Sequence, residues 1–357
     1  MNEQIARAVG EIRAFEEKLT KLTSHIRKEN PKLSSKDALE EKLFLGTPDV
    51  EFTGKITAVD GGILANELHA LDLFLIRSVA ASFSYENGRL CGHSFYPAAF
   101  PEPEATTEYA LDSHESNWLK NIKRLNSEIK CATGAVKKET PAVLFLDGSI
   151  IPQVADKPAA NSKVYAHYEE LVGNYLELFR LCESQGVMLA GIIKDSRGKH
   201  FLSLVEKEMA LPPGEADLLT KTNDTAFLFS LLQEKERTLA FQYATFSDHP
   251  ILKDFKGFAE KVCSFYLKPV KYDRPLRVDF LLPKNQEIGA YVQTLSSLVY
   301  SLSKHNRQYA YPAVLIEADL RAAMDPQELD RVYDTYFAQA GMSASTFKLR
   351  RNSRPFR

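Results

Sequence analysis

Two segments of this chain end an apolar run on Asp-Gly: Ile56-Thr57-Ala58-Val59-Asp60-Gly61-Gly62 and Val143-Leu144-Phe145-Leu146-Asp147-Gly148-Ser149. Runs this short, and this rich in β-branched and aromatic residues, predict buried strands. The glycine after each predicts a sharp turn at positive φ. That puts Asp60 and Asp147 at the carboxyl ends of central strands, where open α/β sheets place their ligands. A single Asp-Gly is an ordinary turn, because Asp favours turns through its own backbone hydrogen bonds. Two in one α/β chain supply paired carboxylates able to hold a divalent cation between them.

Other acids fall in comparable places. Asp195 follows Ile192-Ile193-Lys194, and Glu317 and Asp319 follow the apolar run 313–316. Glu128 lies on the stretch before the second Asp-Gly, with Glu104, Glu108 and Glu115 nearby. Hard divalent ions require carboxylate oxygens converging from several elements. Two such ions about 3.5–4 Å apart suit in-line hydrolysis of a phosphodiester. An RNase H-like sheet achieves this with acids at strand ends and an acid or His on a late helix, and the parts occur here in that order. Lys194, Arg197 and Lys199 cluster past one predicted strand end, and Arg277 and Arg321 lie near others. Such cations either hold substrate phosphates or belong to solvated loops.

Other site types are absent from the sequence. There is no G-x-x-x-x-G-K-[ST] phosphate loop, no G-x-S-x-G elbow and no H-E-x-x-H. The missing Gly-rich phosphate loop ranks a sugar- or acetate-kinase-like ATPase last, although that sheet also ends strands on Asp-Gly. The eight His are scattered, and Cys91, Cys131, Cys182 and Cys263 form no CxxC pair. That argues against structural zinc and a disulfide framework, and a reducing, cytoplasmic setting is expected.

The elements that must position these residues follow from periodicity. Ile5, Val9, Ile12, Phe15, Leu19, Leu22 and Ile26 recur at steps of three or four, a heptad-like seam. It reads either as an amphipathic helix lying on its own domain or as a dimer contact. Lys55–Asp60 is a predicted strand, followed by a Gly-Gly turn and a second strand, expected antiparallel, over Asp72–Tyr85. A helix is expected from about Glu104 to Val136, another over Val164–Gln185, and a strand over Val187–Ile193. Strand, helix, strand is the grammar of a βαβ unit. Residues 224–235 predict a short helix, and Arg237–Phe246, Cys263–Leu267 and Leu276–Leu282 predict strands, the last with one polar face. Ile288–Lys304 predicts a helix, and Tyr311–Asp319 a further element ending in acid.

With 357 residues and 44% hydrophobic content, one large or two ordinary domains with a real core are expected. The net charge of −2 gives no global basic footprint, so a nucleic-acid partner requires a local patch. The charged N-terminus is not a signal peptide, and no apolar run approaches the roughly 18 residues of a membrane span. Asn223-Asp224-Thr225 fits a glycosylation sequon by chance.

The order of four segments resembles the NurA family of DNA-end-processing nucleases. They are Ala58-Val59-Asp60-Gly61-Gly62, Phe145-Leu146-Asp147-Gly148-Ser149-Ile150, Gly191-Ile192-Ile193-Lys194-Asp195-Ser196, and Tyr311-Pro312-Ala313-Val314-Leu315-Ile316-Glu317-Ala318-Asp319. The resemblance runs from about residue 50 to 325. It implies an α/β, RNase H-like mixed sheet flanked by helices, here with an N-terminal helical extension. It also implies manganese-dependent single-strand endonuclease and 5′→3′ exonuclease activity, DNA as substrate, a homodimer, and docking on a HerA-type hexameric ATPase during break-end resection. Carried over, the metal ligands are Asp60, Asp147 and a helix Glu, for which Glu128 is favoured and Glu115 is the reserve. Lys194 matches a basic position suited to the scissile phosphate. Asp319 departs from the His that the family usually has there. Asp is itself a competent hard-metal ligand, so Asp60, Glu128, Asp147 and Asp319 are expected to hold two Mn²⁺ or Mg²⁺. The same departure supports an alternative, a catalytically weakened subunit that binds and regulates the motor. The expected layout is a helical, dimerising segment over 1–45, a nuclease domain over 46–335 and a basic tail over 336–357.

Overall fold

The computed structural model describes residues 2–29, 31–69, 71–209, 211–244, 249–339 and 341. The basic tail expected at the C-terminus lies outside the described residues beyond 341, as does the end of the predicted strand at Phe246. In chain order the elements are α1 (Asn2–Glu29), β1 (Phe44–Gly46), β2 (Gly54–Glu67), β3 (Leu71–Glu86), β4 (Arg89–Tyr96), β5 (Glu104–Tyr109), α2 (Ser113–Glu139), β6 (Val143–Asp147), α3 (Tyr165–Gln185), β7 (Met188–Ile193), α4 (His200–Glu208), α5 (Pro213–Thr220), α6 (Asp224–Leu231), β8 (Glu236–Thr238), β9 (Phe241–Gln242), β10 (Val262–Lys268), β11 (Leu276–Leu281), α7 (Ile288–Ser303), α8 (Ala313–Ala322) and α9 (Pro326–Gln339).

The chain divides into two units. The first runs to Phe52 and adds Gly148–Ile150 and Ala190–Ala313; the second takes Thr53–Asp147, Ile151–Leu189 and the chain from Val314.

The second unit is built on a mixed sheet. β2 pairs parallel with β6, from Ile56↔Val143 to Val59↔Leu146, and antiparallel with β3, from Gly54↔Tyr85 to Glu67↔Asp72. β4 and β5 pair with opposite halves of β3. α2 covers the sheet with Leu119, Ile122, Ile129, Ala132 and Val136, all buried. α3 lies alongside α2, bridged by Lys130–Glu170 and Lys137–Glu177. Tyr333 and Phe337 of α9 pack on Leu68 and Leu73.

Two expectations fail here. Gly61-Gly62 is not a turn: β2 continues through both residues, and neither has positive φ. Asp60 therefore sits within a long strand and not at its end. The predicted helix from Glu104 begins only at Ser113, because the Thr-containing stretch Glu104–Tyr109 pairs with β3. Asp112 then starts the helix with a capping box, accepting from the amides of His114 and Glu115.

The first unit is antiparallel, in the order β1-β8-β10-β11-β7, with β9 also on β10. The predicted strand over 237–246 is two short strands, β8 and β9. β11 carries the predicted alternation, but its polar face is buried, with Arg277 donating to Asp279 at 2.8 Å. The α1 seam divides. Leu19, Leu22 and Ile26 join the core with Phe201, Phe227, Leu231 and Phe241, and Arg27 grips Glu236 through two hydrogen bonds. Ile5, Val9 and Ile12 are exposed. The last predicted element is helical: α8 starts just after Pro312, where proline is tolerated. Asp319 and Arg321 thus lie on a helix and follow no strand.

Candidate metal centre

Asp60, Asp147 and Asp319 converge in the second unit from β2, β6 and α8. Each offers a carboxylate oxygen, and these oxygens lie within 4.8 Å of one another. Parallel pairing of β2 with β6 brings the first two acids side by side. At Asp147 the predicted turn exists: the chain leaves β6 through Gly148 at φ 118. The third acid arrives through the close approach of α8. A Cβ built on Gly62 would lie 2.4 Å from the Ala322 carbonyl oxygen, so only glycine admits the end of the helix there. Arg77 on β3 fixes the same end, donating to the Ala323 carbonyl at 3.0 Å, to Glu328 at 2.6 Å and to the Pro101 carbonyl at 2.9 Å.

Glu128 of α2 stands beside this group, buried at 5% exposure. Its carboxylate is gripped by Arg124, one helical turn earlier. Gly61 makes the space it occupies. The serines at Ser78 and Ser127 hydrogen-bond at 2.8 Å alongside.

The electrostatics are those of acids crowded without enough positive charge. Burial, then the Asp147 charge and the neighbouring Asp319, push the Asp60 carboxyl up to about 7, against the hydrogen bond it accepts from the Gly61 amide. Burial pushes Glu128 up to about 8; Arg124 opposes this, and the Asp60 and Asp147 charges add to it. Oxygen donors held close together at a cost in mutual repulsion are the donor set of a hard divalent cation.

The other expected site residues have separate surroundings. Glu115 is used locally: it completes the α2 capping box and accepts from Ser162 at 3.1 Å. Glu108 pairs with Lys123, and Glu317 with Arg321. Asp195 is exposed on the first unit, 3.9 Å from Arg274. Lys194, also in the first unit, places its ammonium 4.2 Å from the Tyr311 ring centroid, and Tyr311 donates to the Ile192 carbonyl. Lys199 donates to the Thr220 carbonyl at 2.6 Å. Arg277 belongs to the buried pair with Asp279, and Arg321 lies between the rings of Phe95 and Phe100. Sequence reasoning missed Arg124, Arg77 and the packing role of Gly61 and Gly62. Only Arg124 carried a local signal, its four-residue spacing from Glu128.

Residues 54–324 match the model of the NurA domain. The chain belongs to the NurA family. In the same fold, the NurA nuclease from Sulfolobus solfataricus matches with a TM-score of 0.57 at 12% identity, over 94% of both chains. A NurA solved with manganese matches with a TM-score of 0.53 at 11% identity, over 94% of this chain and 98% of that one. No curated protein matches the sequence. The mixed α/β fold with flanking helices and an N-terminal helix is thus the NurA fold expected from the four segments. Asp60, Glu128, Asp147, Lys194 and Asp319 all fall inside the matched NurA region. Among the described residues, no helix is long and apolar enough to cross a membrane.

Proposed function

We propose that this NurA-family chain is a divalent-metal-dependent deoxyribonuclease that cuts single strands internally and digests DNA 5′→3′. The observation that carries the reading is the convergence of Asp60, Asp147 and Asp319 within 4.8 Å, with Glu128 alongside. Asp60, Asp147, Asp319 and Glu128 would hold the cations, two Mn²⁺ or Mg²⁺. When bound, such cations supply Lewis-acid stabilisation of charge developing on phosphate oxygens and a more acidic water. The chain contributes the geometry: β2 and β6 fix two acids, and α8 delivers a third. Lys194, held over Tyr311, is the residue proposed to meet the scissile phosphate. Family membership supports DNA ends as substrate, a homodimer, and work with a HerA-type hexameric ATPase in break-end resection.

The test is cleavage of 5′-labelled single- and double-stranded DNA with Mn²⁺, with and without a HerA-type partner. Wild-type protein is expected to cut, and Asp60→Ala and Asp147→Ala to be inert while still folded. Cutting by both variants at the wild-type rate sinks the proposal. Inert wild-type protein that nevertheless co-elutes with the motor supports the second reading, a regulatory subunit, for which Asp319 in place of the family's His is the motivating feature.

A further inference from the structure

Carboxylates that hold a divalent cation would be deprotonated, and a DNA phosphate approaching four of them would meet repulsion that bound cations offset only in part. A nuclease site therefore gains from a fixed cation aimed at the non-bridging phosphate oxygens. Arg124 is such a cation within the second unit. It projects from α2 one turn before Glu128 and contacts that carboxylate through Nη1. The Asp60, Glu128 and Tyr175 groups all act electrostatically on its guanidinium. Asp156, whose carboxylate accepts from Asn121 at 3.1 Å, also feels its charge. Its side chain nevertheless keeps 31% of its surface exposed, against 7% for Glu128. The contact with Glu128 occupies one of the five N–H donors of a guanidinium, whose planar fork matches a phosphate.

Glu128 is claimed from two sides. It is one proposed metal ligand, and it is also the carboxylate that Arg124 grips. Four acids and one arginine leave a net deficit of positive charge, which a divalent cation lowers. A cation drawing on Glu128 would weaken that ion pair and leave guanidinium donors at the edge of the site for another anion. The incoming phosphodiester is such an anion.

We propose that Arg124 is a substrate-phosphate ligand, held on Glu128 until a divalent cation takes that carboxylate. This rests on the metal-centre reading above. It adds a role for a residue outside the carboxylate set, and the ligand class is a phosphodiester of single-stranded DNA.

The test measures two affinities on Arg124→Gln and Arg124→Lys. One is the binding of 5′-labelled oligo(dT) by fluorescence anisotropy with Ca²⁺ present; the other is Mn²⁺ binding by the free-ion signal in electron paramagnetic resonance. Arg124→Gln is expected to weaken oligonucleotide binding about tenfold, the loss typical of a hydrogen bond to a charged group. Mn²⁺ affinity is expected to be kept or increased, because a nearby positive charge is gone. Arg124→Lys should recover part of the DNA affinity, since charge survives without the fork. A purely structural role, positioning Glu128, predicts the reverse: weakened Mn²⁺ binding in Arg124→Gln. That result, or undiminished oligonucleotide binding, overturns the inference. Failure of the metal-centre reading shows separately, in wild-type protein that binds no Mn²⁺, and would remove both.

Discussion

Gly61 and Glu128 occupy one space. A Cβ built on Gly61 would lie 2.5 Å from Glu128 Cγ and 2.8 Å from its Oε1. The glycine that reads in sequence as a turn residue is in fact mid-strand, and its missing side chain admits a buried carboxylate from α2. Gly61→Ala must displace the Glu128 side chain. The expected cost is about 1–3 kcal/mol of stability, with a loss of Mn²⁺ affinity beyond what the folded fraction explains. Thermal melts with and without Mn²⁺ check both.

Asp60 is the most crowded of the aspartates. Asp60→Asn removes a charge that Asp147 and Asp319 repel, while keeping its shape. Metal-free protein at pH 8 is expected to melt higher than wild type, and Mn²⁺-dependent cleavage to fall by more than about a hundredfold. A variant that is less stable without metal and still cuts would contradict the placement of Asp60 among repelling carboxylates.

The raised carboxyls set a pH dependence. Asp60 is shifted from 3.8 to about 7 and Glu128 from 4.5 to about 8. Between the unfolded and folded values the native state binds more protons than the unfolded one, so stability falls as pH rises. Metal-free protein is therefore expected to lose stability progressively from about pH 4 to about pH 8, with the full penalty above that. Protons and Mn²⁺ compete for the same oxygens. The Mn²⁺-induced rise in Tm should be small at pH 5.5 and largest above pH 8. Melts across that range with and without Mn²⁺ are the measurement, and a metal effect that shrinks with rising pH contradicts it.

Arg77 decides where Asp319 stands. Its three contacts tie β3 to the end of α8 and to Glu328. Arg77→Ala removes the donor to the Ala323 and Pro101 carbonyls and to the Glu328 carboxylate, at an expected cost of about 1–3 kcal/mol for bonds of which one is to a charged group. Weaker Mn²⁺ binding should accompany it. A charge-reversed repair, Arg77→Glu with Glu328→Arg, is not expected to recover binding, because the carbonyls still lack a donor.

Asp319→His tests the position at which the sequence resemblance leads to an expected His. Imidazole suits borderline ions better than Mg²⁺, whereas carboxylate suits both Mg²⁺ and Mn²⁺. The variant is expected to keep Mn²⁺-supported cleavage and to lose Mg²⁺-supported cleavage by about tenfold. Rates in each metal, and their ratio, are the readout.

The sequence by itself determined the strand identities of Ile56–Asp60 and Val143–Asp147, the helical α3 and α7, and the pairing of two Asp-Gly acids. These follow from local periodicity and composition, which neighbouring residues are enough to display. It also ordered four segments closely enough to indicate the NurA family. Local pattern could not tell a strand that continues through Gly61-Gly62 from one that turns there. That depends on Glu128 and Ala322 approaching from far along the chain, where any Cβ would collide. It could not show that Asp319 reaches Asp60 and Asp147 from a helix, because the docking of α8 rests on Arg77 and Gly62. Nor did it separate Glu128 from Glu115. Both are glutamates on one helix, but only the tertiary structure gives Glu115 to a helix cap and buries Glu128 beside the aspartates. Convergence of like charges is a long-range property, sustained by packing, and no local stretch of sequence encodes it.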